Sequence, residues 1–174
     1  TYEGMHRLIP KLRPIALEQL GLEGAINDLI SELKKIHPTI QFNASIAISK
    51  KDDSIEIALF RIIQEALNNA IKHAHPNQVE LTLIENKNAI SLTIENDGQK
   101  PDNLNKPGRY GIIGIQERVD YLHGTIQFQP LDHGLRIQIQ INQLTKCYSK
   151  YLFPRMDFTV YAEDLLLTPF YCCF

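Results

Sequence analysis

The chain has 174 residues, with 18 Lys and Arg against 20 Asp and Glu and a formal net charge of −2. That length suits one domain plus appendages. The balanced charge and the lack of an interleaved basic–aromatic stripe argue against nucleic acid as a partner. No apolar run approaches membrane-spanning length and no signal peptide opens the chain, so we expect a cytoplasmic domain without membrane contact of its own. The cysteines Cys147, Cys172 and Cys173 lack metal-ligand spacing, and a reducing compartment is the simpler expectation. Thr1-Tyr2-Glu3-Gly4 starts without methionine, as expected for a piece of a longer protein.

In chain order, Leu8, Ile9 and Leu12 suggest a helix end in residues 1–12, which Pro14 breaks or restarts. A helix is predicted from about Leu22 to Ile36, where Leu22, Ala25, Ile26, Leu29, Ile30 and Leu33 recur at helical spacing. Pro38 ends it, and the alternation of Phe42, Ala44, Ile46 and Ile48 predicts a strand over 40–48. A long helix follows, capped by Asp53 with Glu56 completing a capping box. Its apolar stripe runs from Ile55 through Leu59, Ile62, Ile63, Ala66, Leu67 and Ala70 to Ala74. Strands at 79–85 and 89–95 flank Asn86-Lys87-Asn88, a turn that suits a hairpin because Asn tolerates left-handed geometry. A helix over 112–123 precedes strands at 125–129 and 135–141. The last strand alternates Leu135, Ile137, Ile139 and Ile141 with Arg136, Gln138 and Gln140. This order predicts an α+β two-layer sandwich: a mixed, mostly antiparallel sheet with helices on one face.

The chemistry concentrates off the apolar stripe. Glu65, Asn69 and Lys72 stand at i, i+4 and i+7 on one edge of the long helix, beside Asn68 and His73. A carboxylate, a carboxamide and an ammonium in a row suit a hard cation and its phosphates. The plain alternative is a solvated polar face with an i, i+3 ion pair. Two glycine-bearing loops tilt the balance: Glu95-Asn96-Asp97-Gly98, and Gly108-Arg109-Tyr110-Gly111-Ile112-Ile113-Gly114, which opens a helix. Glycines at a helix start let backbone amides approach an anion, and the helix dipole favours one.

These residues resemble the histidine-kinase-like ATPase domain, the Bergerat fold, of two-component sensor kinases. Within it the chain looks most like the group that partners NarL-type response regulators, the UhpB type among them. Leu12-Arg13-Pro14 with Leu20-Gly21-Leu22 resembles the segment joining the dimerisation helices to the ATPase domain. The run from Phe60 to Ala74 resembles the N box. The run from Gly111 to Val119 resembles the second glycine box and its helix, and Gly124-Thr125 with His133-Gly134 the closing hairpin. The resemblance divides the chain into residues 1–14 as the end of a dimerisation helix and linker, 15–141 as the ATPase domain, and 142–174 outside the core.

By residue, the resemblance implies that Asn69 ligates Mg²⁺ and that Glu65 positions or activates the group attacking the γ-phosphate of ATP. It places Asn68, Lys72 and His73 near the phosphates and Gly98, Gly111, Ile112 and Gly114 against the nucleotide. Four positions depart from the pattern. Asn96 replaces the aspartate that accepts the adenine amino group, Lys100 and Arg109 replace glycines, and Leu135 replaces a threonine beside the adenine. The resemblance implies a protein-histidine kinase whose phosphoacceptor histidine lies upstream, so that this chain should not phosphorylate itself. Its partners would be its own dimerisation helices, as a homodimer, and a NarL-type regulator. An anti-sigma-type serine kinase shares a similar N box, but the Leu-Arg-Pro and Leu-Gly-Leu segments argue against it. The four departures also fit a degenerate module that binds nucleotide weakly and acts by docking.

Two further expectations concern loops and ends. The polar segment 99–109 predicts a mobile lid over the phosphates. The aromatic-rich segment 142–174 predicts a tail that packs on the domain or a partner, with a disordered end as the alternative.

Overall fold

The computed structural model describes residues 15–100 and 110–142. Helix α1 (Ile15–Ile36) leads to β1 (Gln41–Ala47) and then α2 (Asp53–Asn69), which continues as a π-helical turn over Ala70–Ala74. Strands β2 (Gln78–Glu85) and β3 (Ala89–Asn96) form a hairpin. Helix α3 (Tyr110–Tyr121) precedes β4 (Gly124–Pro130) and β5 (Leu135–Asn142). One sheet takes the order β1-β2-β3-β5-β4, with β1 parallel to β2 and every other pairing antiparallel. This is the expected two-layer α+β sandwich.

Alternation in the strands builds the core. Leu83, Leu92 and Ile139 pair in one row and Leu81, Ile94 and Ile137 in the next, all buried. Against them pack Ile26 of α1, Leu59, Ile62, Ile63 and Leu67 of α2, and Ile115 and Val119 of α3. Each fully buried Leu or Ile side chain contributes about 1.5–3 kcal/mol. On the opposite face Ser45, Thr82, Thr93, Gln138 and Gln127 line up across all five strands and meet water.

Three local expectations are corrected. Helix α1 begins at Ile15, ahead of the periodic stretch, because Gly21 (φ 69, ψ −178) joins a short turn to the helix proper. The N-cap of α2 is Asp52, not Asp53, and no side chain caps it. The Asp52 carbonyl accepts the Ile55 and Glu56 amides, so the helix starts one residue early. That shift puts Glu56 beyond capping-box position, where its Oε1 accepts the Lys51 N–H at 3.0 Å. The third is the end of α2. The last turn widens to π geometry and stops at His75 in the left-handed region (φ 48). The linker at 1–14, the lid beyond Lys100 and the tail beyond Asn142 lie outside the described residues.

Candidate functional site

A cleft of about 250 Å³ opens where the end of α2, the start of α3 and the sheet converge. Its floor is Ala66, Ala70 and Ala74, three small residues at four-residue spacing that leave room a Leu or Ile would fill. The sheet supplies Ile94, Asn96, Phe128, Leu135 and Ile137. Helix α3 supplies Gly111, Ile112 and Ile115, and Asn69, His73 and Gln99 form the polar rim. A largely apolar slot with a few convergent polar groups suits a flat ring bearing hydrogen-bonding edges.

Asn96 is the buried polar residue of this wall, 5% exposed. Its carboxamide oxygen accepts the Gly98 N–H at 3.2 Å, and its nitrogen donates to the Leu135 carbonyl at 3.3 Å. The oxygen keeps a second lone pair for a ligand donor. The following loop is tied down on both sides. Asp97 Oδ1 accepts the Asn77 and Gln78 amides, each at 2.8 Å, and the Gln99 N–H donates to the Ala74 carbonyl at 2.7 Å. A side chain at Gly98 would strike that same Ala74 carbonyl. Glycine there is required by contact of the loop with the π turn, before any ligand is considered.

Gly111 has a similar cause. A Cβ there would collide with the Glu65 carboxylate and lie 2.8 Å from Asn69 Nδ2. The first turn of α3 thus packs directly over the Glu65–Asn69 edge of α2. At Gly114 the nearest atom is the flexible end of Arg118, at 2.9 Å.

Of the expected site residues, the cleft gathers Asn69, His73, Asn96, Gly111, Ile112 and Leu135 into its lining. Glu65 is half-buried at its edge against Gly111. Asn68, Gly98 and Gly114 stand nearby but do not line it. Lys72 is exposed and outside the lining. The alanine floor, Ile94, Gln99, Ile115, Phe128 and Ile137 complete the cleft, although in the sequence they read as core or loop residues. The spacing of the alanines was the available signal: small residues where a plain core helix would carry larger ones.

Among the described residues no three His, Cys, Asp or Glu side chains gather to hold a metal. A carboxamide and a carboxylate one turn apart, Asn69 and Glu65, suit Mg²⁺, which keeps water and takes much of its coordination from phosphates. Cationic groups lie at the far end of the edge. Arg61 donates to Gln64 Oε1 at 2.8 Å. Its pKa is lowered by burial first and by the Arg118 guanidinium second.

The family described as "Histidine kinase-, DNA gyrase B-, and HSP90-like ATPase" matches residues 54–145, more than half of the chain, and the chain belongs to that family. It is 33% identical over 146 residues to "Signal transduction histidine-protein kinase/phosphatase UhpB" of Salmonella typhimurium, covering 82% of this chain and 29% of that protein. It is 35% identical over 148 residues to "Signal transduction histidine-protein kinase/phosphatase DegS" of Brevibacillus brevis, covering 79% and 36%. The chain therefore spans about a third of the length of these relatives. Its fold matches the histidine kinase domain of the Erythrobacter litoralis EL346 blue-light activated histidine kinase. The TM-score is 0.65 at 19% identity, over 72% of this chain and 62% of that one.

Proposed function

We propose that this chain is the ATP-binding catalytic domain of a two-component sensor histidine kinase. The adenine enters the apolar slot between Ala70, Ala74, Ile94 and Leu135, with its amino group on the Asn96 oxygen. The phosphates run along α2 past Asn69 toward Glu65. Asn69 would hold Mg²⁺, which would supply charge neutralisation at the phosphate oxygens. Glu65 orients the incoming nucleophile, and His73 and Lys72 add donors on the same side. Transfer of this kind is mainly positioning and charge neutralisation, so few side chains are needed. The γ-phosphoryl group passes to a histidine on a dimerisation helix outside residues 15–141, in a homodimer, and then to an aspartate of a NarL-type response regulator. Residues 1–14 would be the end of that helix and its linker, and 142–174 a tail outside the core.

One observation carries this reading: the Glu65–Asn69 edge lies at the mouth of an apolar slot walled by Asn96, in a chain of an ATPase family. The relatives UhpB and DegS are histidine-protein kinases, which supports catalysis over docking alone. We place the chain as a cytoplasmic domain of an anchored kinase; among the described residues no helix is long and apolar enough to cross a membrane. Titration calorimetry with Mg·ADP tests it. Starting from a micromolar site and softening two hydrogen bonds, we expect a dissociation constant in roughly the high-micromolar range. No heat at millimolar nucleotide would overturn the reading in favour of a docking module.

A further inference from the structure

We propose that the Asn96 carboxamide reads two adjacent atoms of the base: it accepts from the exocyclic amino group and donates to the ring nitrogen beside it. The inference rests on the nucleotide reading above and deepens it, because the second contact uses a donor that an aspartate at this position would lack. A carboxamide offers two lone pairs and two N–H donors. Within the protein Asn96 uses one of each. Its Oδ1 accepts the Gly98 N–H at 3.2 Å, and its Nδ2 donates to the Leu135 carbonyl at 3.3 Å. The second lone pair and the second N–H have no partner among the described residues, although Asn96 is only 5% exposed. Buried polar groups left unpaired are costly, and native structures rarely keep them so.

Both spare groups belong to a side chain that lines the cleft, beside Ile94 of its own strand and Leu135 of the next. The other sides of the carboxamide are taken. Gly98 and Leu135 hold one end each, and Gly134 backs the oxygen so closely that a Cβ there would come within 3.0 Å of it. The same two bonds fix which end is which. Turned over, the carboxamide would set its oxygen against the Leu135 carbonyl and its nitrogen against the Gly98 N–H, and would lose both. Adenine offers an amino donor beside a ring-nitrogen acceptor on either edge, N6 with N1 or N6 with N7, which matches a fixed acceptor and donor. Guanine offers O6 beside a protonated N1, the reverse order, so the base or the carboxamide would have to turn over. The plain alternative is that water satisfies the spare N–H and the base meets the oxygen alone.

Removing the ring nitrogen separates the two. The full chain and its Asn96→Asp variant are titrated by calorimetry with the magnesium complexes of ADP, 1-deaza-ADP, 7-deaza-ADP and GDP. The unmodified chain should bind one of the two deaza nucleotides about ten-fold more weakly than ADP, and that one identifies the edge facing Asn96. GDP should bind more weakly than ADP by about ten-fold or more. In Asn96→Asp the same deaza nucleotide and ADP should bind within two-fold of each other, since aspartate keeps the acceptor and has no donor. If that variant fails to fold, the deaza comparison on the unmodified chain still decides. Deaza nucleotides that both bind as ADP does, or a deficit that persists in Asn96→Asp, would overturn the two-point contact and leave the nucleotide reading intact. Failure of the unmodified chain to bind ADP would overturn both.

Discussion

Asn96 on β3 donates its carboxamide N–H to the carbonyl of Leu135 on β5, its direct partner in the ladder, at 3.3 Å. Asn96 and Leu135, both lining the cleft, are thus one coupled unit. An aspartate at 96 would lack that donor and face the Leu135 carbonyl with a buried carboxylate.

Asn96→Asp should therefore have opposite effects on affinity and stability. Charge-assisted acceptance of the adenine amino group should tighten ADP binding. Loss of the donor in a wall that is 5% exposed should destabilise the domain by about 1–3 kcal/mol. Calorimetry and thermal unfolding on one sample check both halves. Adding Leu135→Thr should give a non-additive double variant, since both residues line one pocket. An unchanged affinity in Asn96→Asp would show that residue 96 does not contact the base.

Gly111→Ala isolates the packing of α3 over the N-box edge. Alanine favours a helix by about 1 kcal/mol over glycine, so thermal stability should change little. The new Cβ must displace the Glu65 carboxylate and crowd Asn69 Nδ2 at 2.8 Å. We expect Mg·ADP affinity to fall about ten-fold or more, measured by calorimetry with circular dichroism as the fold control.

Asn69→Asp should retain the fold, since Asn69 is half-buried on the cleft rim and not in the core. Its Mg·nucleotide affinity should change sharply, because a second carboxylate joins Glu65 one turn away. Titration with and without Mg²⁺ separates the metal's part. Binding equal to that of the unmodified chain would show the metal edge to be misassigned.

Gly134→Ala should be among the most destabilising single changes in the domain. The residue sits at φ +89, and a Cβ would overlap the Asn96 carbonyl and come within 3.0 Å of Asn96 Oδ1. A cost above about 2 kcal/mol follows from strain plus displacement of a buried hydrogen-bonded wall. Denaturant unfolding measures it, and a near-neutral result would mean the hairpin can re-form around alanine.

Much of the architecture was legible in the sequence because its signals are periodic. The stripe from Ile55 to Ala74 and the alternation at 135–141 require only counting along one element. What escaped depends on partners distant in sequence. Nothing near Asn96 in the chain announces Leu135, and nothing near Gly111 announces Glu65. The glycines looked ligand-facing, yet Gly98 and Gly111 are required by contact with Ala74 and with the Glu65–Asn69 edge. The π turn at Ala70–Ala74 escaped because apolar spacing barely distinguishes a widened turn from an ordinary one. The capping error at Asp52 and Asp53 is a one-residue ambiguity between identical neighbours.

The pairing of β3 with β5 also protects against misassembly. Side chains alternate across a strand, so a slip of one residue turns every inward group outward. In the native alignment Glu95 lies opposite Arg136 and is bonded to its Nε at 2.7 Å, while Asn96 lies opposite Leu135. Shifted by one, β5 would bring a guanidinium against the apolar slot and expose Ile137, Ile139 and Ile141 to water. The charged pair on the outer face and the amide bond on the inner face hold the same alignment from opposite sides. A misthreaded hairpin would thus lose both at once, so a chain that has closed its sheet has also built its cleft.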